Sequence, residues 1–511
     1  MLRVVKTENG VVEGIEAADP RITAYKGIPF AAPPVGENRW RAPKPCKNWE
    51  GVLKAYRFAP ISVQDTPGIG DMIYNREWHV DPEIPMSEDC LYLNVWTSAK
   101  KPDEKQPVVV WYFGGALQWG YPSEMEFDGE RLARRGIVVV TVNYRINVFG
   151  FMSHPQITKD QPDAPGNFGN LDQQAGLKWV IRNIAAFGGD PQNITIAGQS
   201  AGGGSVLSQM TCPANFGLFQ KAIIQSAMIR DPYGNGGIGK PQSLEQGEKN
   251  GENFLSFLNV STLDEARKLD AFYIRDKYAE YAQTNLRMGP VLDNTFCVGD
   301  PLVLFAQNKR AKVPVMAGNT ADEFPNFITA QSQEEFEEKA KLIFGDKAEE
   351  FIGLVETSGN TNKPFYGKVS GIECTVKAEF LQSGMHQNDE KCFYYRFDAE
   401  IPGWDNPGTF HSVELWFFFE TLAKCWRPFN GKHYDLARQM CNYWSNFVKA
   451  GDPNGLDADG SPMPEWVPYT KETPYGMVFK TEGSVLEKKQ EKKLESFLIQ
   501  QFRNKFCEKD A

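Results

Sequence analysis

Two runs of β-branched and aromatic residues, Pro107–Phe113 and Gly136–Asn143, show almost no polar alternation. That is the pattern of strands buried on both faces. Ile194–Ala197, Lys221–Ser226, Val313–Ala317 and Phe393–Phe397 repeat it in shorter form. Between them the period lengthens. Gly129–Arg135 predicts a short helix, and Gly169–Ile184 carries apolar residues at helical spacing until Gly188-Gly-Asp-Pro191 stops it. Tyr434–Lys449 predicts another helix, closed by Gly451-Asp-Pro-Asn-Gly455. Strands alternating with helices predict an α/β fold, a large and mostly parallel twisted sheet with helices on both faces. At the start of the chain Asn9-Gly10 signals a hairpin. Tyr25–Gly36 is rich in Pro and Gly and reads as irregular, and a long loop runs to Ser87–Val95, which turns into a strand.

The rhythm breaks at the loop of about 59–88 and at 229–285 and 328–390, where polar helical segments such as Gln333–Phe344 intervene. These read as insertions that shape a pocket on one domain spanning 1–511. Neither repeats nor low-complexity tracts interrupt it. Apolar residues make up 41% and aromatic residues 13%, enough for one large core.

Charge narrows the partners. Fifty-five basic against 65 acidic residues give a net charge of −10, and no basic block appears, so nucleic acid and anionic membrane are not expected partners. The mixed-sign stretch Glu487–Lys493 reads as a solvated helix face. No apolar run approaches the roughly 18 residues of a membrane span, and Met1–Glu8 does not resemble a signal peptide. Nine scattered cysteines without a Cys-x-x-Cys pair read as free thiols. The expectation is a cytoplasmic monomer or small homo-oligomer without metal or cofactor; a leader trimmed from the chain would change that to secretion. Asp452–Gly460 is acidic but lacks calcium-loop spacing, and reads as a turn.

The chemistry is sought at Thr195-Ile-Ala-Gly-Gln-Ser-Ala-Gly-Gly203. A strand followed by Gly-x-Ser-x-Gly and a run of small residues predicts a sharp strand-to-helix turn with the Ser200 hydroxyl at its tip. The pentapeptide alone weighs little: with 46 glycines it arises by chance on the order of 0.3 times in such a chain. A serine nucleophile also needs a base and an orienting acid, and in sheets with such a turn the order is Ser, acid, His. That order removes His79 and His154 and leaves His386, His411 and His433. His411 is the best placed, on a loop after the Phe393 strand and before the aromatic run Trp416–Phe419. The acid is expected at the end of the Val313 strand, where Asp322 and Glu323 both qualify on pattern. Phe113-Gly-Gly-Ala116 supplies small residues after a core strand, as backbone donors to an oxyanion require.

These elements, with Lys26-Gly-Ile-Pro-Phe-Ala-Ala-Pro-Pro-Val-Gly36, Glu88-Asp-Cys-Leu-x-Leu-Asn94, Asn143-Tyr-Arg145, Gly166-Asn-x-Gly-x-x-Asp172, Ala186-Phe-Gly-Gly-Asp-Pro191, Gln225-Ser226 and Trp466-x-Pro-Tyr469, resemble the type-B carboxylesterases. That is the cholinesterase-like branch of the α/β-hydrolase fold. The resemblance implies a serine carboxylester hydrolase with Ser200 as nucleophile, His411 as base and then acid, and Glu323 as orienting acid. It puts the oxyanion donors on the backbone N–H groups of Gly115, Ala116 and Ala201, with Ser226 supporting the acid from behind.

Three positions depart from the family pattern. Gln199 stands where many relatives have Glu, which argues against a cationic choline ester. The usual partner of Cys90 in secreted relatives would fall near Ser62, and Phe324 replaces a Gly. Aromatic residues near the predicted site (Phe113, Trp119, Phe410, Trp416), with Gln199 as a further pocket residue, suit a small-molecule ester of short-to-medium acyl or aromatic type, a hydroxycinnamoyl ester included. A lipase working at interfaces and a binding protein that has lost the chemistry are the competing expectations.

Overall fold

The unbroken apolar runs form the middle of an eleven-stranded sheet in a computed structural model that describes residues 1–227, 240–323, 332–357, 390–470, 472–488 and 493–506. The strands of this sheet, in chain order, are β1 Ile15–Glu16, β2 Thr23–Pro29, β3 Tyr92–Thr97, β4 Gln106–Tyr112, β5 Val138–Val142 and β6 Gly189–Gln199. They continue as β7 Lys221–Gln225, β8 Val315–Thr320, β9 Cys392–Phe397, β10 Tyr475–Lys480 and β11 Gly483–Lys488. Across the sheet the order is β11-β10-β9-β8-β7-β6-β4-β5-β3-β2-β1. Every pair from β5 through β4, β6, β7, β8 and β9 to β10 is parallel, and both edges turn antiparallel. Helices cover both faces, so the central strands have no solvent side and need no polar alternation. Val108–Val110 and Val138–Val140 are accordingly buried throughout.

Among the helices, α1 Phe168–Asn183, α2 Ala201–Thr211, α3 Leu244–Phe257, α4 Ala271–Tyr281 and α5 Gly431–Ala450 matter most for the site. α2 packs on β6, β7 and α1, while α5 packs along β4, β6, β10 and β11. α5 stops where Gly451 takes φ +72°, a left-handed conformation that suits a residue without Cβ. The Asn9-Gly10 signal corresponds to the turn between Val4–Lys6 and Val11–Glu13, which pair antiparallel.

Two expectations need correcting. Tyr25–Gly36 is not irregular throughout, because its first residues lie in β2. A register shift between Tyr25 and Ile28, with Gly27 at φ +76°, lets the strand pass its Gly. Glu487–Lys493 is not one helix face either. Glu487 and Lys488 end β11, where Glu487 pairs with Lys480 across the hairpin, and Lys493 belongs to a separate helix, Lys493–Phe506. Mixed charge marks exposure in a strand as readily as in a helix.

The insertion at 229–285 contains α3 and α4. Gln333–Phe344 is helical as expected and shares a satellite core, including Phe336, Phe344, Phe351 and Phe497, with Ala348–Thr357 and Lys493–Phe506. Residues 229–239, 328–331 and 358–389 of the predicted insertions, with Phe324, Cys374, His386 and Cys507, lie outside the described residues. The seven described cysteines are free. Cys90 is fully buried with Ser62 as a hydrogen-bond partner, so serine occupies the place where a disulfide partner would be expected. Asp452–Gly460 is a turn in which Asp457 accepts from Arg438 at 3.0 Å. Among the described residues no helix is long and apolar enough to cross a membrane.

Candidate active site

The carboxyl ends of β4, β6, β7 and β8 lie side by side, and the loops leaving them gather around Ser200. Ser200 sits between β6 and α2 at φ +56°, ψ −124°, a conformation side chains rarely adopt. Tight packing holds it there. The Ser200 N–H donates to the Gln225 carbonyl at 2.9 Å. A Cβ on Gly202 would come within 2.0 Å of the Tyr112 carbonyl oxygen, and one on Gly198 within 2.4 Å of the Gly202 oxygen. Only glycine lets these backbones meet, which is the physical reason for both flanking positions.

The loop after β4 lies directly against this turn. A Cβ on Gly114 would touch Gln199 and the Ser200 Cβ at 3.0–3.2 Å. Gly115, Ala116 and Leu117 then take positive φ values of 105°, 57° and 61°. Hydrogen bonds to other parts of the chain fix the loop. The Gly120 N–H donates to Gln64 Oε1 at 2.7 Å, the Asn147 N–H to the Leu117 carbonyl at 2.6 Å, and Gln118 Nε2 to the Met288 carbonyl at 3.0 Å. Ala201 is the first residue of α2, directly after Ser200.

His411 and Glu323 meet through Nδ1 and Oε2, both side chains buried. The other ring nitrogen, Nε2, lies 3.3 Å from the Gln199 side-chain nitrogen, one residue before Ser200. Asp322, which pattern alone could not separate from Glu323, has another task. Its carboxylate accepts from the Thr409 N–H at 2.8 Å while its own N–H donates to the Thr409 carbonyl at 3.1 Å. It staples the segment carrying Glu323 to the loop carrying His411.

The other described histidines are engaged elsewhere: His79 with the buried Glu124 at 3.0 Å, His154 as a helix cap, His433 with the Glu400 carbonyl at 2.9 Å.

Behind Glu323 lies a group the sequence reading did not single out. Ser226 Oγ is 3.0 Å from Glu414 Oε1 and also hydrogen-bonds Glu323. Burial raises the Glu323 carboxyl, but the charge and hydrogen bond of His411, with Ser226 and the Thr320 N–H, outweigh it and hold it below the usual value. Glu414, fully buried, goes the other way: burial and then the charge of Glu323 push it up to about 8. At neutral pH it is therefore protonated, and its Oε1 is a neutral acceptor for the Ser226 hydroxyl behind the charged Glu323. The only sequence signal for Glu414 was a carboxylate three residues after His411 and two before the aromatic run Trp416–Phe419.

The predicted pocket residues divide. Phe113 and Trp416 are fully enclosed and cannot line a pocket. Phe113 stacks on Tyr144 with ring centroids 4.1 Å apart, and Trp416 packs edge-on against Trp78 at 6.0 Å. Apolar surroundings of a site and apolar packing beneath it look alike in sequence. Phe410 stacks on Trp78, and Trp119 is half-buried with the Arg287 guanidinium 5.6 Å from its ring centroid. Of the remaining motifs, Arg145 and Asp172 form a buried bidentate pair at 2.7 Å, and Arg39 and Glu88 another at 2.6 Å. The first ties the segment after β5 to α1, and the second ties two loops together.

The model of the carboxylesterase family matches residues 2–497. The chain belongs to that family. This carboxylesterase is 31% identical to the fumonisin B1 esterase of Sphingopyxis macrogoltabida over 88% of this chain and 82% of that one. It is also 31% identical to the para-nitrobenzyl esterase of Bacillus subtilis (strain 168), over 94% of this chain and 96% of that one. A solved structure of a PNB esterase superposes with a TM-score of 0.82 at 28% identity, covering 98% of this chain and 99% of that one. The fold is the α/β-hydrolase fold, and the protein is a carboxylic ester hydrolase.

Proposed function

We propose that this esterase works through an acyl-enzyme on Ser200. His411 Nε2 takes the serine proton as Oγ attacks the ester carbonyl, and Glu323 holds the ring through Nδ1 and stabilises the imidazolium that forms. The carbonyl oxygen becomes an oxyanion facing the N–H groups of Gly115, Ala116 and Ala201, each typically worth about 2.7–4 kcal/mol of barrier. As the tetrahedral species collapses, His411 passes its proton to the leaving alcohol. It then activates water to release the acid and restore Ser200. Ser226 positions Glu323 and touches no substrate.

The observation that carries this reading is the buried contact of His411 Nδ1 with Glu323 while Nε2 faces the Ser200 turn. The substrates proposed are small carboxylic esters of short-to-medium acyl or aromatic type, with Trp119 and Phe410 as pocket residues.

Intact mass after treatment with a fluorophosphonate, alongside p-nitrophenyl butyrate turnover, tests the mechanism. One adduct on wild type and none on Ser200→Ala are expected. Turnover should fall on the order of 10⁶-fold in the variant, the scale seen when a serine nucleophile is removed. A folded wild type that takes no label and turns over nothing would overturn the reading in favour of a binding protein. A panel of p-nitrophenyl esters with methyl ferulate then sorts the substrates. Faster hydrolysis of the palmitate than of the butyrate would replace the soluble-substrate reading with a lipase.

A further inference from the structure

Beside the loop after β4 opens a cleft of about 1120 Å³, bounded by Ala116–Gln118, by α3, by the end of α4 and by residues 282–290. Its charged lining is of one sign. Lys240, Lys249 and Arg287 face it together with neutral amides such as Gln242 and Asn285, and no described residue lining it is acidic. In a chain with ten more acidic than basic residues, drawn from 65 and 55, that is a departure from the background. Lys249 shares its charge with Glu252 at 3.1 Å, but Glu252 lies outside the lining; Arg287 rests against Trp119.

The cleft is also mechanically continuous with the predicted oxyanion loop. Gln118 Nε2 donates to the Met288 carbonyl, and Gln118 Oε1 accepts from the Tyr278 hydroxyl at 3.1 Å. That hydroxyl in turn accepts from the Met288 N–H at 2.8 Å. One wall of the cleft and the loop that faces Ser200 are thus fixed to each other. Ala116, one of the expected oxyanion donors, itself lines the cleft.

We propose that this cleft is the subsite for a carboxylate carried by the substrate, making the preferred esters those that bear a free carboxylate remote from the scissile carbonyl, as in half-esters of dicarboxylic acids. Arg287 offers a planar fork suited to a carboxylate, and Lys240 and Lys249 add point charges at the rim. The inference rests on the assignment of Ser200 as the reacting centre and deepens it.

The test compares kcat/KM for matched pairs. The p-nitrophenyl half-ester of suberic acid is set against p-nitrophenyl octanoate, placing the carboxylate on the acyl side. The butyryl ester of 6-hydroxyhexanoate against hexyl butyrate places it on the alcohol side. In at least one pair the carboxylate ester is preferred by about tenfold, the scale of one charge-assisted hydrogen bond. That preference collapses in Lys240→Gln/Arg287→Gln, reverses in Arg287→Glu, and weakens as salt screens the exposed cations. Neutral preference in both pairs, or a carboxylate preference untouched by these variants, overturns the proposal. Its failure is distinct from that of the acyl-enzyme reading: an enzyme that takes the fluorophosphonate and hydrolyses neutral esters without preferring carboxylates loses only the cleft assignment.

Discussion

The two ends of the site are held by different physics. At the Ser200 end the restraint is steric: positive φ at Ser200, Gly115 and Ala116, and backbones too close for any Cβ at Gly198 or Gly202. At the Glu323 end the restraint is electrostatic. A buried carboxylate is held charged by His411, and a second carboxyl, Glu414, is held neutral behind it, with Ser226 between them. Sterics do not titrate. The first end should therefore keep its geometry across pH, whereas the second depends on which carboxyl holds the proton.

The largest expected effect outside Ser200 comes from breaking the electrostatic end. Glu323→Gln keeps the shape but replaces the acceptor that orients His411 Nδ1–H. The kcat/KM for p-nitrophenyl butyrate should fall by about 10⁴, the cost of the corresponding change in a serine triad. Labelling by a fluorophosphonate should slow in parallel. A loss of less than tenfold would mean that Glu323 is not the acid that orients His411.

The steric end is broken through Gly202→Ala, whose Cβ would have to occupy space 2.0 Å from the Tyr112 carbonyl oxygen. Backbone cannot yield as a flexible side chain does, so destabilisation of about 1–3 kcal/mol or more is expected, read as a fall in thermal midpoint. Gly204→Ala is the control two residues on. Nothing lies within 4 Å of its Cβ, and alanine favours the helix, so that variant should match wild type or exceed it. Equal midpoints for the two variants would show that the turn is less tightly enclosed than its geometry implies.

A sequence reader sees these two ends unequally. The steric end was legible because glycine is specific: Gly198, Gly202 and Gly115 each mark a backbone approach that no other residue allows, and Gly114 a tight one. The central strands were legible because burial on both faces leaves an unbroken apolar run. The electrostatic end was half legible. Chain order narrowed the base and the strand end narrowed the acid to two neighbours, but only the fold shows Asp322 turned to Thr409 and Glu323 turned to His411. Glu414 had no pattern of its own, since its significance lies in a neighbour 188 positions away in the chain, Ser226. Phe113 and Trp416 misled for the complementary reason, because an aromatic side chain does not reveal whether it faces a cavity or a neighbour.

The two carboxyls allow a sharper division within the electrostatic end. Glu414 has its folded value raised to about 8 from an ordinary 4.5, so between those values the folded state binds the extra proton. The stability this confers is full below the ordinary value and is lost as pH rises through about 8. Glu323, held below its ordinary value, acts in the opposite sense: its contribution is present above that value and is lost as pH falls through the folded one. Glu414→Gln, neutral at every pH, should therefore flatten the decline in stability between about pH 4.5 and 8, a decline on the order of a few kcal/mol. Denaturant midpoints across that range test this. An unchanged slope in the variant would mean that Glu414 is ionised throughout and the pair is held some other way.

The smallest effect tests whether the ends are as separate as their physics suggests, and it does so at the residue where they touch. Gln199 belongs to the steric end by position, on β6 beside Ser200, yet its side-chain nitrogen is 3.3 Å from His411 Nε2. Gln199→Glu keeps the backbone and adds a negative charge next to the ring, which favours the imidazolium. A general base must be neutral to act, so the acid limb of the pH profile of kcat/KM for p-nitrophenyl butyrate should move to higher pH by about one unit, the scale of one adjacent charge. The loss should be close to tenfold on the acid side and small on the alkaline plateau. A uniform loss at every pH would mean that the substitution disturbs the turn itself, and that the steric end depends on side-chain chemistry after all. A displaced limb with an intact plateau would place the boundary between backbone restraint and charge at His411 Nε2.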